Sequence, residues 1–395
     1  MKRLSILAAT LSPLALLASC GSATTGDGAQ AQSTPSPTSG TSGEVDDFAI
    51  SEHGTFDEPW AAAFVPGTNY LFVTERGGTA KLVDIANDRV RTVTGLPEVD
   101  YGGQGGLGDV TFLASESGAT LGSRTIYLSW AEAGTGDTRG AAVGRGTLVC
   151  GEADACRIDG LSVIWRQDPK VTGRGHYSHR LAISPDGQHL FVASGDRQKM
   201  QPAQDLSSHL GKIVRLSLDG SPASDSPLAS RPGAKPGIWS MGHRNILGLA
   251  FDGQGRLWDL EHGPAGGDEL NLVEPGANYG WPEVSDGDHY NGDPIPRHST
   301  SSEFAKPAIS WNPVIAPGDF IFYGGNQFTG WQGQAIIATM KPTGIVRVAI
   351  DGSAAREVAR YATDERIREI VEGPDGAIWV LEDGDGGRLL RLTPQ

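Results

Sequence analysis

The sequence predicts an all-β protein, and within that class a six-bladed β-propeller. The 395 residues include 55 Gly and 24 Pro but no long amphipathic helical window, a composition typical of strands joined by many turns. Six apolar strand-like runs recur at intervals of 42 to 79 residues, the size of a propeller blade that carries loop insertions. A β-sandwich is the structural alternative, but it would need a single core without this recurrence.

Each recurring run follows a second apolar segment, so the elements come in pairs. In chain order the six runs are YLFVT from Tyr70, TIYLSW from Thr125, HLFVAS from His189, RLWDL from Arg256, AIIAT from Ala335 and AIWVL from Ala377. The segments before them are AAAFV, DVTFL, LAIS, LGLAFD, FIFY and REIV. Turn sequences such as SPDGQ, DGQGR and GPDGA join several pairs and favour tight hairpins. Because propeller loops converge on one mouth of the central channel, residues distant in sequence can form one site.

The N-terminus has the pattern of a lipoprotein signal over residues 1–20. Lys2 and Arg3 precede a short apolar stretch that ends in Leu-Ala-Ser-Cys at Cys20, too short to span a bilayer. The ending resembles a lipobox, in which Cys20 receives the lipid; the alternative is an ordinary signal cut nearby that leaves Cys20 as a free thiol. Residues 21–45 are rich in Ser, Thr, Gly and Pro, which predicts a flexible tether. We therefore expect a folded domain over 46–395, exported and lipid-anchored in the cell envelope, with no other membrane contact.

Cysteine spacing and charge narrow the environment and the ligands. Cys150 and Cys156, which enclose five residues in CGEADAC, predict a disulfide that closes a small hairpin loop outside the cytoplasm. The formal net charge is −15, and about −17 without Lys2 and Arg3, which excludes general binding to nucleic acid. An anionic ligand must therefore meet a local basic cluster.

Residues 103–108, GQGGLG, satisfy a dinucleotide-binding glycine pattern but lack its context. The segment before them, TGLPEVD, is too polar for a buried parallel strand, and the alternating DVTFL after them predicts a strand where a phosphate-binding helix should begin. A nucleotide site is therefore excluded. The glycines, and Gln104 among them, need another explanation.

Two long motifs supply one. They are GHYSHRLAISPDGQHLFVASGD from Gly175 and GHRNILGLAFDGQGRLWDLEHGPAGGDELNLVEPGANYGWPEV from Gly242. With them the chain resembles the glucose/sorbosone dehydrogenase family from about residue 60 to its C-terminus. The resemblance implies a six-bladed propeller that uses pyrroloquinoline quinone (PQQ) and Ca²⁺. It further implies oxidation of an aldose at the anomeric carbon to a lactone, with hydride transfer to the quinone and electrons passed to an external acceptor.

The same resemblance implies the catalytic groups. His176 matches the general base that takes the hydroxyl proton, and Asp196 matches the carboxylate that fixes its tautomer. Arg244 and Asn245 match the pair beside the reactive quinone carbonyl, where donors stabilise developing negative charge. One departure concerns His179, where the family usually has Gly; its bulk could narrow the substrate pocket.

Cofactor and metal positions follow in the same way. The implied PQQ contacts are Gln104, Gln201, Asn245, Trp311, Lys341, Arg366 and Arg368. Among them the three cations would hold the PQQ carboxylates and Trp311 would stack on the ring, while Val314 replaces a usual hydroxyl residue. The backbone carbonyls of Gly263 and Pro264 would hold the catalytic calcium. Asp268, Glu269 and Tyr279 match a second calcium site, and plain hydrogen-bonded structural roles are the alternative for all three.

Two other functions remain open at this point. A six-bladed calcium lactonase would need side-chain carboxylates and Asn around a central ion, whereas this sequence offers Lys341, Arg366 and Arg368 for a polyanion. A non-catalytic surface propeller that binds carbohydrate or protein would need neither His176 nor a cofactor.

Overall fold

Strands make up almost all of the regular structure in the computed structural model, which describes residues 47–151 and 155–395. Within these residues, helix is limited to three short 3₁₀ turns, and no helix is long and apolar enough to cross a bilayer. The predicted all-β class is therefore confirmed. The predicted signal with Cys20 and the predicted tether 21–45 lie outside the described residues.

The strands follow one another in short hairpin steps. They are β1 (Phe48–Asp57), β2 (Pro59–Phe64), β3 (Tyr70–Glu75), β4 (Thr79–Asp84), β5 (Arg89–Thr94), β6 (Leu107–Phe112), β7 (Arg124–Ala133), β8 (Arg139–Cys150), β9 (Cys156–Arg166), β10 (Ser178–Ile183), β11 (His189–Ser194), β12 (Lys212–Ser217), β13 (Ile238–Met241), β14 (Ile246–Phe251), β15 (Leu257–Glu261), β16 (Asp268–Leu272), β17 (Ile309–Trp311), β18 (Pro317–Phe322), β19 (Ala335–Met340), β20 (Thr343–Asp351), β21 (Ala354–Ala362), β22 (Ile367–Glu372), β23 (Ile378–Glu382) and β24 (Asp385–Pro394). The 3₁₀ turns are Ala114–Glu116, Gln201–Gln204 and His298–Thr300.

After β1, the strands form successive runs of antiparallel neighbours. Three sheets contain four consecutive strands each, β10–β13, β14–β17 and β18–β21. An eight-stranded sheet contains the runs β2–β5 and β6–β9, which a short parallel pairing between β5 and β9 joins. The last sheet contains β22–β24, and β1 completes it by pairing antiparallel with β24.

The first strands of these runs form a ring. β2, β6, β10, β14, β18 and β22 pack against one another in that order, and β22 also packs against β2. The six predicted strand pairs are confirmed, because each run begins with the first member of a pair and continues with the second. Every residue of β19 and of β23 is buried, because each sheet packs between two others. This explains why the second runs read as continuous apolar stretches.

One end of the ring collects the predicted site segments. In an antiparallel hairpin the start of the first strand and the end of the second lie at the same edge. The GQGGLG segment leads into the start of β6 and His176 precedes β10, while Asp196 follows β11 and Lys341 follows β19. The topology therefore brings these segments to a common end of the ring.

The predicted disulfide is confirmed: Cys150 ends β8, Cys156 begins β9, and the two are directly opposite and bonded. Because the bond closes a short hairpin, its removal should lower the free energy of unfolding by about 2 kcal/mol. We expect the Cys150→Ser/Cys156→Ser variant to show this loss in urea unfolding and to keep its turnover. A variant that folds normally but has no turnover would contradict this expectation.

Candidate functional site

A cavity of about 320 Å³ opens at the end of the ring described above. All six runs of strands contribute to it. Its lining consists of Glu58, Trp60, Arg76, Gly103, Gln104, Tyr177, Ser178, His179, Asn245, Leu247, His262, Met340, Arg366, Arg368, Asp383 and Gly384. The cavity therefore brings together segments that are more than 300 residues apart in the chain.

Beside this cavity His176 and Asp196 form a hydrogen-bonded pair. His176 Nδ1 lies 2.7 Å from Asp196 Oδ1, and Asp196 is fully buried. The carboxylate also accepts hydrogen bonds from the indole N–H of Trp281 at 2.7 Å and from the backbone N–H of Gln198 at 2.8 Å. Burial alone would raise the pKa of Asp196, but these hydrogen bonds outweigh it and hold the pKa below its usual range. Asp196 is therefore an ionised partner for the imidazole.

The imidazole of His176 is held as a neutral base. Burial lowers its pKa, the Asp196 carboxylate opposes this, and the Arg244 guanidinium lowers the pKa further. Because a carboxylate only accepts hydrogen bonds, Nδ1 carries the proton and Nε2 has the free lone pair. No residue in 47–151 or 155–395 forms a hydrogen bond with Nε2. The backbone N–H of His176 donates to Gln104 Oε1 at 2.6 Å, which ties the GQGGLG segment to the base.

Arg244 is fixed next to this pair. Its backbone N–H donates to Glu261 Oε2 at 2.6 Å, and its carbonyl accepts the backbone N–H of Asp196 at 2.9 Å. The guanidinium donates to the His262 carbonyl at 3.0 Å and to the Tyr290 hydroxyl at 3.2 Å. Asn245, the next residue in the sequence, lines the cavity. The structure thus brings together the base, its carboxylate and the predicted charge-stabilising pair.

Arg366 and Arg368 also line the cavity. Both guanidinium groups pair with the carboxylate of Asp383. Arg366 Nε lies 2.9 Å from Asp383 Oδ2, and Arg368 donates to Asp383 Oδ1 at 2.8 Å. Lys341 is exposed and follows Met340 of the lining; among the described residues it has no ion-pair partner. Sequence reasoning missed Asp383. A usable signal was its position directly after a second strand, β23, because Asp196 lies two residues after the second strand β11 of its own sheet.

The loop after β15 has the carbonyls predicted for calcium. The backbone N–H of Gly263 donates to Asp268 Oδ1 at 2.9 Å, whereas the carbonyls of Gly263 and Pro264 accept no hydrogen bond from a described residue. They border a second, very small cavity of about 10 Å³ that Arg244 also lines. Unused carbonyl oxygens are suitable ligands for a hard cation, so this loop fits a calcium ion.

The three residues predicted for a second calcium have partners of their own. Asp268 accepts three backbone N–H groups, from Gly263, Ile315 and Ala316, at 2.7 to 2.9 Å. The Tyr279 hydroxyl donates to the Leu272 carbonyl, and its ring stacks on His243. Glu269 accepts from His298 at 3.1 Å, and burial raises the pKa of Glu269 to about 7. For Asp268 and the Tyr279 hydroxyl these contacts support the structural alternative that the sequence left open, and the second calcium site stays a prediction.

Two predicted cofactor contacts lie elsewhere. Gln201 is exposed at the start of a 3₁₀ turn and lines neither cavity. Trp311 ends β17, the fourth strand of its sheet, where its indole N–H donates to Glu357 at 2.8 Å and its ring packs in the core. Trp311 therefore does not line this cavity, and its predicted stacking on the cofactor ring stays a prediction.

The aromatic surface of the cavity comes from residues that sequence reasoning did not select as ligands. Trp60, Tyr177 and His179 all line it, and the His179 ring centroid lies 4.8 Å from Trp60 and 6.0 Å from Tyr177. Beneath them, Arg180 is 2% exposed and its guanidinium lies 4.2 Å from the Trp60 ring centroid. These side chains form the floor of the cavity.

Arg180 connects the first strands across the ring. It belongs to β10, and its partners lie on each of the other five first strands: Trp60, Asp109, the Leu247 carbonyl, the Gly318 carbonyl with Asp319, and Glu369. The carboxylates of Asp109, Asp319 and Glu369 lie 2.8 to 3.6 Å from it. One buried cation therefore lies among three carboxyl groups at the centre of the ring, and the pKa of each of these acids is raised by burial.

The fold and the site define an all-β protein with a histidine–aspartate pair next to a cationic cavity, at one end of a ring of strands. A profile of the Glucose / Sorbosone dehydrogenase family matches residues 56–391, and the chain belongs to this family of sugar oxidoreductases. The resemblance seen in the sequence is confirmed.

Individual relatives agree. Aldose sugar dehydrogenase YliI of Escherichia coli (strain K12) is 36% identical over 344 residues, which cover 86% of this chain and 91% of the relative. The crystal structure of the soluble aldose sugar dehydrogenase of Escherichia coli in the apo form superposes with a TM-score of 0.82 at 33% identity, covering 88% of this chain and 100% of that one. The PQQ-bound form of aldose sugar dehydrogenase from Streptomyces coelicolor superposes with a TM-score of 0.70 at 26% identity, covering 88% and 98%.

Proposed function

We propose that this chain is a PQQ- and calcium-dependent dehydrogenase that oxidises an aldose at the anomeric carbon to the lactone. The observation that carries the proposal is the His176–Asp196 pair, 2.7 Å apart, next to Arg244 at a cavity lined by Arg366 and Arg368. Membership of a sugar dehydrogenase family supports the reaction class, and the Streptomyces coelicolor relative solved with PQQ supports the cofactor.

The residues present fit both groups. PQQ carries three carboxylates on a planar ring system; Arg366, Arg368 and Lys341 would hold the carboxylates, and the aromatic floor of Trp60 and His179 would border the ring. The free carbonyls of Gly263 and Pro264 would hold calcium. When bound, PQQ supplies a two-electron acceptor that no amino-acid side chain provides.

The chain's own groups can then perform the acid–base chemistry. His176 Nε2 accepts the proton of the anomeric hydroxyl, and Asp196 stabilises the resulting imidazolium through Nδ1–H. Arg244, held by the His262 carbonyl and Tyr290, presents a fixed positive charge where negative charge develops on oxygen. The two electrons removed from the sugar would pass through the bound cofactor to an external acceptor.

A calcium lactonase is not favoured by the cavity. Of its described lining, only Glu58 and Asp383 are carboxylates, and both are engaged with arginines: Glu58 with Arg76, and Asp383 with Arg366 and Arg368. A central ion held by free side-chain carboxylates would have no ligands here.

The architecture and location belong to the same proposal. Six runs of strands whose first members close a ring support a six-bladed β-propeller. The lipobox-like ending at Cys20 and the polar stretch 21–45 support export and a lipid anchor that tethers the enzyme in the cell envelope.

Reconstitution tests the function directly. Protein stripped with a chelator and dialysed should not reduce an electron-accepting dye with any aldose, because both proposed groups are then absent. Addition of PQQ with Ca²⁺ should restore turnover, while PQQ alone or Ca²⁺ alone should restore little. Full activity of thoroughly stripped protein without either addition would overturn the quinoprotein proposal.

A further inference from the structure

His179 has a strained backbone at the cavity. Its φ is +52°, in the left-handed region that costs a non-glycine residue energy, and His176 and Ser178 nearby share this conformation. The side chain is nevertheless 2% exposed and lines the cavity between Trp60 and Tyr177. A buried imidazole kept at a position that suits glycine calls for a functional explanation.

Its hydrogen bonds fix which ring nitrogen carries the proton. Ser129 Oγ donates its single proton to the His179 carbonyl at 2.6 Å and accepts the backbone N–H of Asp109 at 2.8 Å. Ser129 Oγ also lies 3.3 Å from His179 Nδ1, and since its proton is already used, the ring must donate there. Nδ1 therefore carries the hydrogen and Nε2 the lone pair.

The ring is also oriented by the backbone beneath it. A Cβ on Gly108 would lie 2.2 Å from His179 Cε1 and 2.3 Å from Nδ1, so the Nδ1–Cε1 edge sits directly on Gly108. His179 lines the cavity, and its Nε2, which is not among the atoms nearest to Gly108, has no hydrogen-bond partner among the described residues. Burial, with a smaller effect of Arg180, lowers the pKa of His179 to about 3, so the ring stays neutral.

We propose that His179 is a cofactor-contacting residue, whose Nε2 accepts a hydrogen bond from an N–H or O–H group of the bound quinone. This inference rests on the proposed function. PQQ has one N–H in its oxidised form and gains two O–H groups on two-electron reduction, so both forms contain donors. The basic residues of the cavity cannot accept such a bond, because Arg and Lys only donate. His179 thus complements the cations that hold the carboxylates.

The test compares PQQ affinity between variants that separate the acceptor from the ring. His179→Phe keeps an aromatic ring without an acceptor, and His179→Asn keeps an acceptor and tolerates positive φ. We expect His179→Phe to weaken PQQ binding, measured by titration of the stripped protein with Ca²⁺ present, by about tenfold, the value of one hydrogen bond. His179→Asn should stay within about threefold of the parent. His189→Phe, at the far end of β10 and β11, is the matched control and should bind normally.

Oxidised and reduced PQQ distinguish the two donors. If His179→Phe weakens the binding of both forms, the donor to His179 is the ring N–H of PQQ. If it weakens the binding of the reduced form alone, the donor is an O–H group, and the reduction potential of bound PQQ should be lower in the variant than in the parent. Equal binding of both forms by His179→Phe and the parent would overturn the proposal, as would an Asn variant as weak as the Phe variant. If the parent itself binds no PQQ, the proposed function fails instead.

A second comparison does not depend on the Phe variant folding. Gly108→Ala should weaken PQQ binding in the parent, because its methyl group would displace the His179 ring. The same change should have little effect in a His179→Gly background. A Gly108→Ala effect of equal size in both backgrounds would contradict the placement of the ring on Gly108.

Discussion

Replacement of His176 by alanine is expected to lower turnover by about 10²-fold to 10⁴-fold while PQQ binding stays largely intact. The size of the effect is the usual contribution of a positioned general base. Binding should survive because, in the proposed complex, Arg366, Arg368 and Lys341 would hold the carboxylates and His176 would not. The measurement is dye-linked oxidation of an aldose by the reconstituted variant, with PQQ affinity determined in parallel.

The pH profile provides a readout that a structural defect would not produce. Burial lowers the pKa of His176 below its ordinary value of 6.5, and the base acts only when unprotonated. Activity of the parent should therefore persist below pH 6.5 and fall as the pH drops through the lowered pKa. His176→Ala should lack this acidic limb.

Two controls keep the assignment open to refutation. His189→Ala changes a histidine at the far end of the same sheet and should leave turnover unchanged. If His176→Ala turns over normally while a His179 variant that still binds PQQ does not, the motif has selected the wrong histidine. If neither matters although PQQ binds, proton removal belongs to another group and the mechanism is wrong even within the right family.

The strand pairs could be predicted because their signal is local. Runs such as AIIAT from Ala335 are apolar throughout since both faces of the strand are buried, and turns such as SPDGQ mark the hairpins. His176, Asp196 and Arg244 could be predicted from motifs whose backbone is continuous with these strands. The disulfide could be predicted because Cys150 and Cys156 are the two cysteines that remain once Cys20 is assigned to the signal, and they lie close together in the sequence.

The positions of the other site residues depend on how the sheets pack against one another, and no local sequence pattern predicts that packing. Trp311 belongs to a recognised motif, but its strand is the fourth of its sheet and its indole faces Glu357. Asp383 lies at the cavity because β23, like β11, ends at that edge. Trp60 enters the floor only through its packing against His179 and Arg180 from a different sheet.

Arg180 is the clearest case, and it leads to the second large expected effect. Its carboxylate partners Asp109, Asp319 and Glu369 come from three other runs of strands, up to 189 residues away. Arg180→Leu would leave the buried carboxyl groups of Asp109 and Glu369 and the partly buried one of Asp319 without their cation. Since removal of one partner of a buried ion pair leaves uncompensated charge, we expect the free energy of unfolding to fall by about 3 to 5 kcal/mol. Urea unfolding at pH 7.5 measures it.

The loss should depend on pH in a defined direction. Burial raises the pKa of Asp319 to about 6, above its ordinary value of 3.8, and Arg180 limits this rise. An acid with a raised pKa in the folded state stabilises the fold fully below its unfolded pKa, and that stability is lost as the pH rises through the folded pKa. Without Arg180 the carboxyl pKa values rise further. The deficit of Arg180→Leu should therefore be larger at pH 7.5 than at pH 5.

A matched arginine separates this effect from the general cost of losing a guanidinium. Arg157 is 55% exposed and pairs with Asp159 at 2.7 Å on the surface, so Arg157→Leu should cost far less stability than Arg180→Leu. Adding Glu369→Gln to Arg180→Leu removes one of the carboxyl groups left without a cation and should recover part of the stability. The double variant can also be measured if the single variant does not fold. Equal losses for Arg180→Leu and Arg157→Leu, or no recovery with Glu369→Gln, would show that the cation at the centre of the ring does not hold the first strands together.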